Sequence, residues 1–189
     1  MLPIAESMTA KLKNTQPTWS DVKKRLADFD RAGLLGLVQD LYGLSRDNQA
    51  FLHARFGLSD DVLAPYKASI DRWLWPDLAR NQSVSVATAK RAIAAYKKAA
   101  GRPEGVAELM VFFCERAAGF SREYGLQDAG YFDALVRMYE QALKMSATLP
   151  AGPRDAMLAR LDAVRVIAHR VGYGVGDDMD RLLARYRQE

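Results

Sequence analysis

Phe132-Asp133-Ala134-Leu135-Val136-Arg137-Met138-Tyr139-Glu140-Gln141-Ala142-Leu143 decides the fold class of this chain. Phe132, Leu135, Val136, Met138, Tyr139 and Leu143 recur at three- and four-residue steps, the spacing that lines one face of an α-helix. Working outward, the same rhythm returns in Leu34, Leu37, Val38, Leu41 and Tyr42, and in Val62, Tyr66, Ile70, Trp73 and Leu74. It returns again in Leu109, Phe112, Phe113 and Ala117, and in Met157, Leu158, Leu161, Val164, Ile167 and Ala168. No stretch alternates with period two between turn signals, so strands are not expected. The spacing predicts an all-α protein of about eight to nine helices, arranged as an irregular bundle or a short array of helical hairpins.

The junctions point the same way. Thr18-Trp19-Ser20-Asp21 has the spacing of a capping box and starts the first helix. Gly43-Leu44-Ser45 and Gly57-Leu58-Ser59 share one design: a left-handed glycine closes a helix, a leucine packs back, and a serine caps the next one. These signals predict helices over about 32–42, 46–56 and 60–75, the last stopped by Pro76. Residues 77–85 read as a polar connector, with Ser85 capping a helix over 86–100 that ends at Gly101. Helices near 104–124, 128–147, 152–171 and 177–188 follow. The expected organisation is a flexible tail over 1–17 and a single helical domain over 18–189, with a soft lobe boundary near 77–85. Ala32-Gly33-Leu34-Leu35 through Tyr42 can be laid on Ala129-Gly130-Tyr131-Phe132 through Tyr139, but no fixed repeat period establishes a solenoid.

Composition narrows the classes. At 189 residues, 49% hydrophobic and 26% charged, the chain has ordinary globular composition and enough length for a substantial core. Its one cysteine excludes an intramolecular disulfide and fits a reducing compartment. No apolar run approaches a spanning helix, and Met1 to Gln16 has no apolar stretch of signal-peptide length. The expectation is a cytoplasmic protein without membrane contact.

Charge is distributed unevenly. The chain carries +4 overall, yet Leu78 to Pro103 contains no acidic residue and six basic ones, Arg80, Lys90, Arg91, Lys97, Lys98 and Arg102. On a helix, Lys90, Arg91, Ala94, Lys97 and Lys98 fall on one side, while Ile93, Tyr96 and Ala89 or Ala100 fall on another. Such a stripe, continued by Arg102, suits a phosphate backbone or an acidic protein. The plain alternative is a solvated helix face whose Lys97 and Lys98 complement the helix dipole. Trp73-Leu74-Trp75-Pro76 offers a second candidate, since neighbouring tryptophans point in different directions and at most one is expected to be fully core. An exposed Trp73 or Trp75 would mark a protein-binding patch; packing beneath the connector is the alternative.

Other candidate chemistry is thin. His53 and His169 show no metal-ligand spacing, and Cys114, in an apolar run, reads as a buried structural thiol. Gly172-Tyr173-Gly174-Val175-Gly176 lacks the strand and lysine of a phosphate loop. Asp177, Asp178 and Asp180 follow it, so it reads as a hinge that docks the last helix. An enzyme would require His53, His169, Tyr173 and a carboxylate to converge in one pocket. No catalytic residue, metal or cofactor is expected.

The run Phe29-Asp30-Arg31-Ala32-Gly33-Leu34-Leu35-Gly36-Leu37-Val38-Gln39-Asp40-Leu41-Tyr42, followed by Ser45-Arg46-Asp47-Asn48-Gln49-Ala50-Phe51-Leu52, resembles an uncharacterised bacterial domain-of-unknown-function family. Trp73 to Asp77, Glu108 to Phe112 and Arg116 to Phe120 extend the likeness over about residues 18–145. The resemblance implies a bacterial source and an all-helical fold, and it implies no activity, cofactor or catalytic residue. The functional expectation is therefore a non-enzymatic helical interaction or adaptor protein with an unidentified protein partner. Nucleic-acid binding through the stripe is the alternative.

Overall fold

A computed structural model describes residues 16–187. The expected tail over 1–17 lies mostly outside these residues. Among the described residues the regular structure is nine α-helices and one 3-10 turn, with no strand: α1 (Trp19–Leu26), α2 (Arg31–Leu44), α3 (Arg46–Phe56), α4 (Ala64–Leu74), α5 (Val86–Ala99), α6 (Pro103–Tyr124), α7 (Ala129–Ala147), α8 (Ala151–Ala168) and α9 (Val175–Arg187), the 3-10 turn being Leu78–Arg80. The chain divides into two compact units, Met1–Leu44 and Ser45–Glu189. The connector 77–85 lies inside the second unit, because α4 and α5 on either side of it pack against each other and both pack on α6.

Local chemistry explains most of the boundaries. Asp21 accepts hydrogen bonds from the Thr18 amide (2.9 Å) and hydroxyl (2.8 Å), which hold its carboxyl below the ordinary carboxylate range. Ser45 caps α3 by accepting from the Asn48 amide, and Ser85 caps α5 by accepting from the Thr88 amide. Gly57 closes α3 at φ 65°, where the Leu58 amide reaches back to the His53 carbonyl at 3.0 Å.

Three junctions depart from expectation. Gly43 does not close α2: it stays helical and the helix runs on to Leu44, so Ser45 alone separates α2 from α3. Leu58 does not pack back on its glycine and stays exposed. Helix α4 begins at Ala64 and not near residue 60, because Asp61 Oδ1 accepts from the Leu63 and Ala64 amides (both 3.0 Å) and turns the chain first. At the far end α8 stops at Ala168, ahead of Gly172, Tyr173 and Gly174, all with positive φ. Tyr173 takes φ 55° without being glycine, and its ring, 5.1 Å from that of Phe132, stacks on α7.

In the second unit α6 is the central helix, flanked by α4, α5, α7 and α8, with α9 laid on α7 and α8 and α3 on α5. Leu109, Val111, Phe113, Leu135, Tyr139, Leu143 and Leu161 have no exposed surface. Cys114 shares this core, and burial pushes its thiol far up, as expected of an inert structural cysteine. Tyr96 packs so closely over Gly105 that a Cβ there would meet its hydroxyl at 2.2 Å.

Candidate functional site

The acid-free segment forms the outer side of α5. Ala89, Ala92, Ile93, Tyr96 and Ala99 are buried, turning Arg91, Lys97 and Lys98 to solvent with Arg102 beyond the helix end. Ala87, Ala94 and Ala95 lie exposed between the charges. Lys90 is half-buried at the edge of the stripe; burial first, and then Arg137 on α7, lower its ammonium from the ordinary value. Arg55 of α3 donates to the Lys98 carbonyl, adding a cation at the α5 C-terminus. Among the described residues, none of Lys90, Arg91, Lys97, Lys98 and Arg102 is in an ion pair with a carboxylate.

Trp73 and Trp75 are both half-buried. Trp75 stands edge-on to Phe120 (5.9 Å) and Tyr124 (6.1 Å), with the Arg116 guanidinium 4.1 Å from its ring centre. A Cβ on Gly119 would come within 2.9 Å of this indole, so the glycine makes room for it. Trp73 lines a shallow cavity of about 260 Å³ with Arg72, Asn81, Gln82 and Ser83, and its carbonyl accepts from the Ser85 amide at 2.9 Å. The pair thus serves two different contacts, α6 for one and the 77–85 connector for the other.

Two polar clusters were not anticipated. On the side where α4, α6 and α8 meet, Arg160 donates to both Glu108 and Glu115, and Lys67 Nζ lies 2.6 Å from Glu108. Arg116 and Asp71 form a separate ion pair between α6 and α4 at 2.5 Å. Burial pushes the Glu108 carboxyl up, but hydrogen bonds from Arg160 and Lys67 outweigh it and hold the group below its ordinary range. Both Glu108 and Glu115 are one-third exposed or less, and the cluster neutralises itself. Glu108 and Glu115 stand seven residues apart and therefore on one helix face. That spacing was legible, whereas the helix supplying Arg160 was not.

The second cluster joins α8 to α9. His169 Nε2 lies 3.0 Å from Asp180 Oδ2, and Arg165 Nη1 lies 2.6 Å from Asp180 Oδ1. His169, Asp177 and Asp180 bring one ligand atom each within 4.8 Å of one another. Both oxygens of Asp180 are nevertheless engaged, and the guanidinium opposes a cation at that carboxylate. Gly176 lets His169 lie close, since a Cβ would meet Nδ1 at 2.5 Å. The cluster docks α9, the role expected of the glycine-rich segment before it. His53 is elsewhere, on α3, whose neighbour is α5, and Tyr173 turns to Phe132.

The most exposed apolar surface lies on α2, where no residue is buried. Leu34, Leu35 and Val38 expose 40%, 60% and 44% of their surface on one side of the helix, and Leu44 exposes 76% at its end. Leu34 and Val38 belong to the apolar spacing that predicts this helix, and Leu35 lies beside them. Comparison with family models, with curated proteins and with solved structures returned no match.

Proposed function

We propose that this chain is a helical interaction protein whose α2 receives an amphipathic helix of a partner. The observation that supports the reading is the exposed row Leu34, Leu35 and Val38 on a helix with no buried residue. Isolated exposed leucines are common, but a contiguous apolar row marks a docking surface. Leu34, Leu35 and Val38, at i, i+1 and i+4, share one side of the helix, as the anchors of helix-to-helix recognition do. Covering each such side chain would contribute about 1–2 kcal/mol, enough in combination for a specific contact.

The polar clusters of the second unit fit the same reading. Their carboxylates are tied up in ion pairs between helices, which suits a scaffold that holds its shape. A photocrosslinking amino acid at Leu35, in cells of the source organism, should give a discrete adduct. Leu34→Glu with Val38→Glu should abolish it. The same probe at Ala156, on the exposed side of α8, sets the background. An adduct pattern at Leu35 no different from that background contradicts the reading.

A further inference from the structure

We infer that the outer face of α5 binds the phosphate backbone of nucleic acid without reading its sequence. This surface is separate from the α2 row and stands or falls without it. Arg91, Lys97, Lys98 and Arg102 are exposed, and no carboxylate among the described residues pairs with them or with Lys90. Elsewhere in the same unit Lys67, Arg116, Lys144, Arg160 and Arg165 each hold a carboxylate, while others, Arg46, Arg122 and Arg170 among them, are in no ion pair among the described residues. What sets α5 apart is that its cations are not interleaved with acidic residues anywhere from Leu78 to Pro103. Arg55 at its C-terminus and Arg137 beside Lys90 widen the positive field.

What surrounds these cations selects the partner. Along α5 and on to Arg102 no large apolar side chain is exposed, and the exposed Phe56 beside Arg55 belongs to the neighbouring α3. A protein interface would be expected to centre on aromatic or aliphatic anchors, and a membrane-binding helix to present an apolar face to the lipid. This face presents alanines between its charges, which let a phosphodiester backbone approach closely and offer nothing for a base to stack on. About 12 Å of helix separates Lys90 from Lys98 at about 1.5 Å per residue. Duplex DNA carries about seven phosphate charges over that length, both strands counted, a density that lets several of the cations engage phosphates at once.

The test is fluorescence anisotropy of the full chain with labelled duplex DNA and single-stranded RNA over a salt series. Four phosphate contacts predict that log K falls against log salt with a slope of about −3 to −4. A variant carrying Arg91→Gln, Lys97→Gln, Lys98→Gln and Arg102→Gln should bind at least about tenfold more weakly near 0.1 M salt, its slope shallower by about three. A control carrying Lys23→Gln, Lys24→Gln, Arg25→Gln and Arg31→Gln removes the same charge from α1 and α2 and should bind like the parent. Equal losses in both variants would reduce the effect to net charge and overturn the assignment. Absence of binding at low salt would also overturn it, as would equally tight binding of polyglutamate or of anionic vesicles. If the fourfold variant melts early by circular dichroism, Arg91→Gln with Lys97→Gln carries the test, with about half the change in slope.

Discussion

Helices α2 and α7 begin alike, with Ala32-Gly33-Leu34-Leu35 against Ala129-Gly130-Tyr131-Phe132, and each reaches a tyrosine ten residues after its alanine, Tyr42 and Tyr139. In α7 that pattern is consumed. Tyr131, Phe132, Leu135, Met138, Tyr139 and Leu143 are buried against α6, α8 and α9. In α2 no residue is buried. Apolar periodicity therefore specifies that a face will be covered, and leaves open whether its own chain or another molecule covers it. The α7 face is core, and Leu34, Leu35 and Val38 of α2 are exposed.

Substitutions that sharpen this contrast should differ most at the leucines. Leu135→Ala, at a site with no exposed surface, should cost about 2–5 kcal/mol in urea unfolding, since it removes transfer energy and leaves a cavity. Leu35→Ala should stay within about 0.5 kcal/mol in the isolated chain. A large loss at Leu35 would mean that α2 is already covered, and would break the comparison. Glycines give the next effect. Gly105→Ala drives a methyl into the Tyr96 hydroxyl and should destabilise by about 1–3 kcal/mol. Gly36→Ala meets nothing within 4 Å and should stabilise α2 by about 0.5–1 kcal/mol, seen as a rise in helicity or melting temperature.

The ion network on α6 gives a smaller effect. Arg160→Ala leaves Glu108 and Glu115 facing each other with only Lys67 nearby. The expected loss is about 1–2 kcal/mol, discounted because the guanidinium is one-third exposed. It should also change the acid limb of the stability curve. The Glu108 carboxyl is depressed in the folded state, so its contribution is present above the ordinary value of 4.5 and is lost as pH falls through the lower folded value. Arg160→Met should flatten that limb, measured as urea midpoints between pH 5 and 3. An unchanged slope would detach Glu108 from the acid response.

Much of the fold was readable because helix signals are local. Thr18, Ser45, Ser85, Gly57 and Pro76 mark the boundaries through hydrogen bonds or backbone restrictions that span at most a few residues. Gly43 misled because a glycine near a helix end can also remain helical, and the carbonyls it might have closed are instead carried on to Leu44. The outward turn of Arg91, Lys97 and Lys98 followed from helical geometry alone. Long-range pairing was not legible. Arg160 meets Glu108 and Glu115 across 52 and 45 residues, and nothing in the spacing of either helix names the other. The same kind of spacing that is core in α7 leaves Leu34, Leu35 and Val38 exposed in α2.

Hydrogen exchange of the purified full chain at low concentration compares the two helices most directly. The account predicts that α2 amides exchange at least about a hundredfold faster than those of α7, whose opening approaches global unfolding. Equal protection of α2 and α7 would show that the Leu34, Leu35 and Val38 row is already buried, and would contradict its assignment as an open docking face.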